Sequence, residues 1–148
     1  MSAMTNYLED ALINFILRDN PDTFAKPGAN IYVGLIKYYD AARVETVAGS
    51  SPEPTVQEAS GGGYARVQVT GVGGTNWYDP SGGGATQNTN AITFPTATGD
   101  WGGISGVIIA DHATAGNILL HGSLTSARDV KNGDVFKFNA GDLDITFA

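Results

Sequence analysis

The side chains able to do chemistry are few. His112 follows Asp111 in a run of turn formers, and His121 stands beside Leu119, Leu120 and Gly122, with Ser105 and Ser123 nearby in the chain. Serine, histidine and aspartate are the parts of an acyl-transfer triad. Geometry and role define a triad, however, and no G-x-S-x-G turn presents a serine as nucleophile. The two histidines also lack the H-E-x-x-H spacing, or any comparable one, of a transition-metal site. Gly61-Gly62-Gly63-Tyr64 and Gly82-Gly83-Gly84-Ala85 invite a phosphate-cradle reading. Neither carries the Lys-Ser/Thr of a P-loop or sits between a strand and a helix, so these glycines read as flexible or left-handed loop positions. Asp142 and Asp144 share one strand face, which suits either a hard cation or a solvated face that discourages edge pairing. With no cysteine in the chain, disulfides, thiolate metal sites and thiolate nucleophiles drop out together. The expectation is a non-enzyme, with no catalytic, cofactor-binding or metal-binding residues and no cofactor.

Composition narrows the partners. Eight Lys and Arg against 15 Asp and Glu give a net charge of −7, and no basic block offers a footprint for phosphate backbones. No stretch approaches the roughly 18 apolar residues of a membrane span. The run Leu12 to Leu17 is interrupted by Asn14 and preceded by Glu9 and Asp10, unlike a signal peptide. Neither nucleic acid nor membrane is therefore an expected partner. A charged share of 16%, against a usual value of roughly 25%, excludes a coiled coil or a charged disordered tail. A length of 148 residues predicts one domain, since domains most often run to roughly 100–150 residues.

The elements follow from periodicity. Asn6 to Leu17 reads as a helix, with Leu8, Ala11, Leu12 and Phe15 on one stripe, Asn6 as the cap, Arg18 at the far end and Pro21 as a stop. Everything after Pro27 reads as strand and turn: Ile31 to Lys37, Tyr64 to Thr70, Ala91 to Phe94, Ile104 to Ala110, Asn117 to Leu124, Arg128 to Val130, and a final strand through Phe147. In the second of these, Ala65, Val67 and Val69 should share one face and Arg66, Gln68 and Thr70 the other. In the last, Leu143, Ile145 and Phe147 should face inward and Asp142, Asp144 and Thr146 outward. Asn132-Gly133 is a two-residue hairpin signal between Val130 and Val135. The predicted fold is mainly β: a jelly-roll-like β-sandwich of about eight strands over 28–148, with one N-terminal α-helix in 1–20. Two long irregular loops, 40–63 and 71–88, interrupt it; loops beyond roughly 12–15 residues are uncommon unless functional or disordered.

The second loop carries Trp77-Tyr78 between glycine clusters, and the first begins just after Tyr38-Tyr39. Such rings either pack onto their own sandwich or contact another subunit.

Several segments, taken in order, resemble a known family. They are Tyr7-Leu8-Glu9-Asp10-Ala11-Leu12, Ile31-Tyr32-Val33-Gly34-Leu35, Ser60-Gly61-Gly62-Gly63-Tyr64-Ala65-Arg66 and Ile92-Thr93-Phe94-Pro95-Thr96-Ala97-Thr98. Asp100-Trp101-Gly102, Ala115-Gly116-Asn117-Ile118-Leu119-Leu120, Asn132-Gly133-Asp134 and Ala140-Gly141-Asp142-Leu143-Asp144-Ile145-Thr146 complete the series. Together they resemble small tailed-bacteriophage virion proteins, often labelled tail fibre or minor structural proteins. The departures fall at Tyr38 to Ser60 and Gly71 to Asn88, where partner contacts would be made. The resemblance implies a structural part of the virion, made in the host bacterial cytoplasm, and not an enzyme.

A receptor-binding fibre usually shows a shaft, as repeats or heptads, or a separate attachment domain. The expectation is accordingly a capsid decoration or cement protein on the outer head surface, where negative charge is tolerated. A tail, fibre or head-spike component in host attachment is the alternative. The expected partners are other copies of the chain, as a dimer or trimer, and the major capsid protein. The expected interface uses Tyr38, Tyr39, Trp77 and Tyr78 with Leu8, Leu12 and Phe15 of the helix.

Overall fold

The computed structural model describes residues 2–18, 31–45, 57–69, 76–80 and 83–147. Pro21, Pro27, Pro52, Pro54, Thr70 and Gly71–Gly74 lie outside the described residues. A short strand β1 (Ser2–Met4) leads into α1 (Asn6–Leu17). The helix spans the expected residues, but its cap is Thr5 and not Asn6. Thr5 is extended at φ −79 and ψ 156, and its hydroxyl accepts from the amide of Leu8. The same hydroxyl donates to the carbonyl of Ile118 at 2.6 Å. Both residue types cap well; the tie to a distant strand decides between them. Arg18 closes the helix as expected, its amide donating to the carbonyl of Asn14 at 3.2 Å.

The remaining strands are β2 (Tyr32–Lys37), β3 (Val67–Gln68), β4 (Ala85–Gln87), β5 (Ile92–Thr93), β6 (Gly102–Ala110), β7 (Ile118–Val130), β8 (Lys137–Phe138) and β9 (Asp144–Thr146). The chain is mainly β with an N-terminal helix, as expected. Its described strands are arranged as one five-stranded sheet in the order β1-β7-β6-β2-β3 and two ribbons, β4-β9 and β5-β8. All pairings are antiparallel. The two expected segments Asn117 to Leu124 and Arg128 to Val130 are one strand. Ile104 pairs with Arg128 and Gly106 with Ser123, so the residues from Leu124 to Ala127 bulge out opposite Ser105.

Three further expectations are corrected. Asn132-Gly133 makes a turn, closed by the Asp134 amide on the Lys131 carbonyl at 2.9 Å, yet β7 does not pair with β8. Only Gly133 has positive φ, 92°, whereas a type I′ hairpin turn needs both central residues there. The turn instead carries the chain from the large sheet to the β5-β8 ribbon. The strand expected over Tyr64 to Thr70 is much shorter, and at its start the polar Arg66 is buried and the apolar Ala65 exposed. Among its described residues only Val67 and Gln68 form a strand, and the three residues before Tyr64 sit at left-handed φ values of 70°, 51° and 74°. Among L-residues only glycine adopts such a run cheaply. At the C-terminus Leu143 and Ile145 point inward as expected, but Phe147 is exposed.

The segment 40–63 is not wholly irregular. Asp40 accepts from the Ala42 amide at 3.1 Å and starts α2 (Ala41–Glu45). Val44 of α2 packs on Ile36, Ile108 and Ile118, on one face of the large sheet. The opposite face carries Val33, Leu35 and Val107 against Phe94, Trp101, Phe136, Phe138 and Leu143. Edge-to-face rings tighten this core: Phe94 and Phe136 lie 5.8 Å apart at 87°, and Tyr64 and Trp101 5.3 Å apart at 82°. The first turns of α1 join through Leu8, which meets Ile109, Leu119, Leu120 and Ile145.

Candidate interaction surface

The four aromatic residues expected at an interface divide into two outside and two inside. Tyr38 ends β2 with φ 53°, the one described non-glycine residue at positive φ, and is 75% exposed. That left-handed bend swings Tyr39 back over the sheet. The Tyr39 amide donates to Ser105 Oγ at 2.7 Å and its hydroxyl meets His121 Nδ1 at 2.8 Å. Its ring lies on Gly106, where a Cβ would come within 2.6 Å of ring carbon Cδ2. Trp77 is half-buried against both the main core and the α1 cluster, and bridges to Asn88. Tyr78 donates its amide to the Gln87 carbonyl at 2.9 Å while its ring stands 54% exposed. Tyr38 therefore projects from the large sheet and Tyr78 from beside the β4-β9 ribbon.

The helix divides in the same way. Leu8 is buried, Leu12 half-buried and Phe15 half-exposed. Ile13, Ile16 and Leu17, at spacings i, i+3 and i+4, form a second apolar stripe that faces outward, with Leu17 76% exposed. The first stripe hid this one, because its residues alone account for an amphipathic helix on a sheet.

The histidines are built into the scaffold. His121 is buried beside Tyr39. His112 Nδ1 accepts from the amides of Thr114 and Ala115 at 3.2 and 3.1 Å, which folds the β6–β7 loop on itself. Asp111 accepts from the Asn117 amide and side chain at 2.7 and 2.8 Å. Asp142 is engaged by the Asn139 amide and side chain. Among the described residues no three His, Cys, Asp or Glu side chains converge on a metal position.

A buried ion pair that alternation concealed braces this loop from below. Glu58 takes two charge-assisted hydrogen bonds from Arg66, at 2.8 and 2.7 Å, and a third from the Tyr64 hydroxyl at 2.8 Å. The remaining Arg66 nitrogen donates to the carbonyls of His112 and Ala115 at 2.7 and 3.1 Å. Burial opposes the guanidinium charge, but the bonds and charge of Glu58 outweigh it and the Arg66 pKa is raised. For Tyr64, burial first and the Glu58 charge second push the phenol pKa well above its usual range. Gly34 makes room for the carboxylate: a Cβ there would lie 2.9 Å from Glu58 Oε1.

One cleft, of about 390 Å³, opens between the outer half of β7 and the strands β8 and β9. Its lining combines apolar side chains, among them Val107, Ile109, Phe138 and Leu143, with charged ones, Arg128, Lys137, Asp142 and Asp144. The Arg128 guanidinium lies 5.4 Å from the centre of the Phe136 ring, a cation–π contact that fixes one end. Periodicity could not find this cleft, since strands distant in sequence form its walls.

Comparison with known proteins gives one family. The family described as Podophage GP4 fiber I protein gp80 matches residues 3–146. No curated protein matches the chain.

Proposed function

The chain belongs to the Podophage GP4 fiber I protein gp80 family, a phage virion structural family, and from that premise we propose that it is a non-enzymatic subunit of a virion fibre. The single observation that carries this reading is the match to a fibre protein over residues 3–146, which takes in the helix and every strand but the start of β1. The geometry supports a structural role: both histidines, Asp111 and the Glu58–Arg66 pair serve the scaffold. Capsid decoration, the first expectation from the sequence, becomes the second reading, favoured by the lack of heptads or repeats in the sequence.

We also infer that the subunit acts as a homo-oligomer, a dimer or trimer, through the outward stripe of α1 and the exposed rings of Tyr38 and Tyr78. The major capsid protein is its expected partner under the decoration reading. Quantitative mass spectrometry of purified virions, with immunogold labelling, tests the placement. Copies numbering six to a few dozen with label at the tail are expected. Hundreds of copies with label over the shell would replace the fibre reading with decoration, and no copies would end both.

A further inference from the structure

We propose that Asn132 is a spontaneous deamidation site that the fold holds in check, because the Gly133 amide that must attack it is kept occupied by the carbonyl of Ala97. Asn132-Gly133 is the one Asn-Gly pair in the sequence. The chemistry needs a backbone nitrogen free to reach the side-chain carbonyl of the preceding asparagine, and glycine, with no Cβ, leaves that approach open. The deprotonated Gly133 nitrogen bonds to Asn132 Cγ, the bond from Cγ to Nδ2 breaks, and ammonia leaves. Water then opens the cyclic imide at either carbonyl, giving aspartate or a β-linked isoaspartate. The co-reactants are water and hydroxide alone.

The structure places the reactive pair and its restraint side by side. Asn132 and Gly133 are exposed, and a Cβ at Gly133 would meet nothing within 4 Å, so the turn is open to solvent on that side. The restraint is a set of hydrogen bonds. The Gly133 amide donates to the Ala97 carbonyl at 2.7 Å, and Ala97 is buried, which anchors the acceptor. The Asn132 amide donates to Asp100 Oδ1 at 2.9 Å and the Lys131 amide to Asp134 Oδ2 at 2.9 Å. With these amides tied down, the nitrogen can react only when the turn lifts from the 96–101 segment, a local opening of the kind that precedes amide exchange. A second turn, Asn139 to Asp142, is built alike: the Asn139 amide donates to Asp142 at 2.8 Å and the Gly141 amide to the Asn88 carbonyl at 2.8 Å. There alanine follows the asparagine, which makes Asn139 a comparator within the same chain.

Reclosing does not undo the reaction. Isoaspartate adds a backbone carbon inside a turn closed by the Asp134 amide on the Lys131 carbonyl at 2.9 Å, and this turn carries the chain from β7 to β8. Either product also adds a carboxylate where Asp100 and Asp134 already bind the turn, with Lys131 the one cation within 131–134. Like charges oppose closure. Each opening that reacts therefore leaves a chain that closes less well.

Peptide mapping by mass spectrometry, which separates asparagine, aspartate and isoaspartate at Asn132, tests this on the full chain in mildly alkaline buffer. Conversion should be at least ten-fold faster in guanidinium chloride that unfolds the protein than in the native state. In the unfolded chain Asn132 should outpace Asn139, and Gly133→Ala should slow it clearly. Below the unfolding midpoint, conversion and exchange of the Gly133 amide, read by NMR, should rise together with denaturant. Asp100→Ala, at an exposed position, should speed conversion in the folded protein by freeing the Asn132 amide. Equal rates in native and unfolded chains, an unfolded Asn132 no faster than Asn139 or indifferent to Gly133→Ala, or conversion that ignores Gly133 exchange would each overturn the proposal. A folded Asp100→Ala protein that converts at the wild-type rate would do the same. None of these outcomes depends on the virion reading.

Discussion

The guanidinium of Arg66 holds two parts of the chain at once: Glu58 beside β2, and the carbonyls of His112 and Ala115 in the β6–β7 loop. With side chains only 2% and 12% exposed, the pair is worth most when broken, because the survivor is left as a buried charge. Arg66→Met should cost about 3–5 kcal/mol, read as a lowered urea midpoint. Adding Glu58→Gln should cost less than the two single changes summed, since the second removes a charge the first has stranded. Tyr64 gives a second test. Its pKa is raised in the fold, by burial and then by Glu58, so its contribution is fully present below the ordinary tyrosine pKa of about 10 and lost as pH rises above it. Urea midpoints of the wild type should fall from pH 9 to pH 11, and Tyr64→Phe should remove that part of the slope. None of this was legible in advance. Arg66 sits opposite the apolar residues of a clean alternation, and nothing in that pattern marks it for burial beside Glu58.

At the scale of elements, the apolar segments were legible and their connections were not. β2, β6 and the start of β7 announce themselves by composition, because burial on a sheet needs short apolar runs. The bulge from Leu124 to Ala127 made one strand read as two, since it loses the alternation while keeping the strand. The glycine turns carry a sharper lesson about space. Gly62 and Gly133 both sit at positive φ, 51° and 92°. A Cβ on Gly62 would lie 2.7 Å from the backbone oxygen of Gly99, whereas one on Gly133 would meet nothing within 4 Å. Gly133→Ala should therefore cost only the left-handed penalty of roughly 1–2 kcal/mol. Gly62→Ala should cost clearly more, because it must also part the turn from the 96–101 segment, where the Gly62 carbonyl accepts from the Thr98 amide and the Trp101 ring nitrogen at 2.8 Å each. Thermal melts of the two variants under one buffer decide it; equal losses would mean that the contact with Gly99 relaxes freely.

At the scale of the whole molecule, the chain sorts its apolar side chains into those that hold the fold and those left exposed, and one helix contains both. Leu8 packs with Ile109, Leu119 and Leu120, and both it and Ala11 are buried. Ile13, Ile16 and Leu17 are exposed on the other side of the same helix. The helix was legible from its first stripe, but which end would stay bare was not, since that depends on where the sheet stops. Burial predicts opposite outcomes for the two sets. Leu8→Ala removes atoms from a packed cluster and should lower stability by about 2–5 kcal/mol. Ile16→Ser combined with Leu17→Ser changes only solvent-facing atoms and should move stability by no more than about 1 kcal/mol. If copies associate through this stripe, the serine pair should reduce the mass in light scattering from that of a dimer or trimer toward a monomer. Leu8→Ala should leave the mass of the folded fraction unchanged. A serine pair that retains the wild-type oligomer would move the self-association surface away from α1, and one that unfolds the protein would show that the stripe is covered by the chain itself.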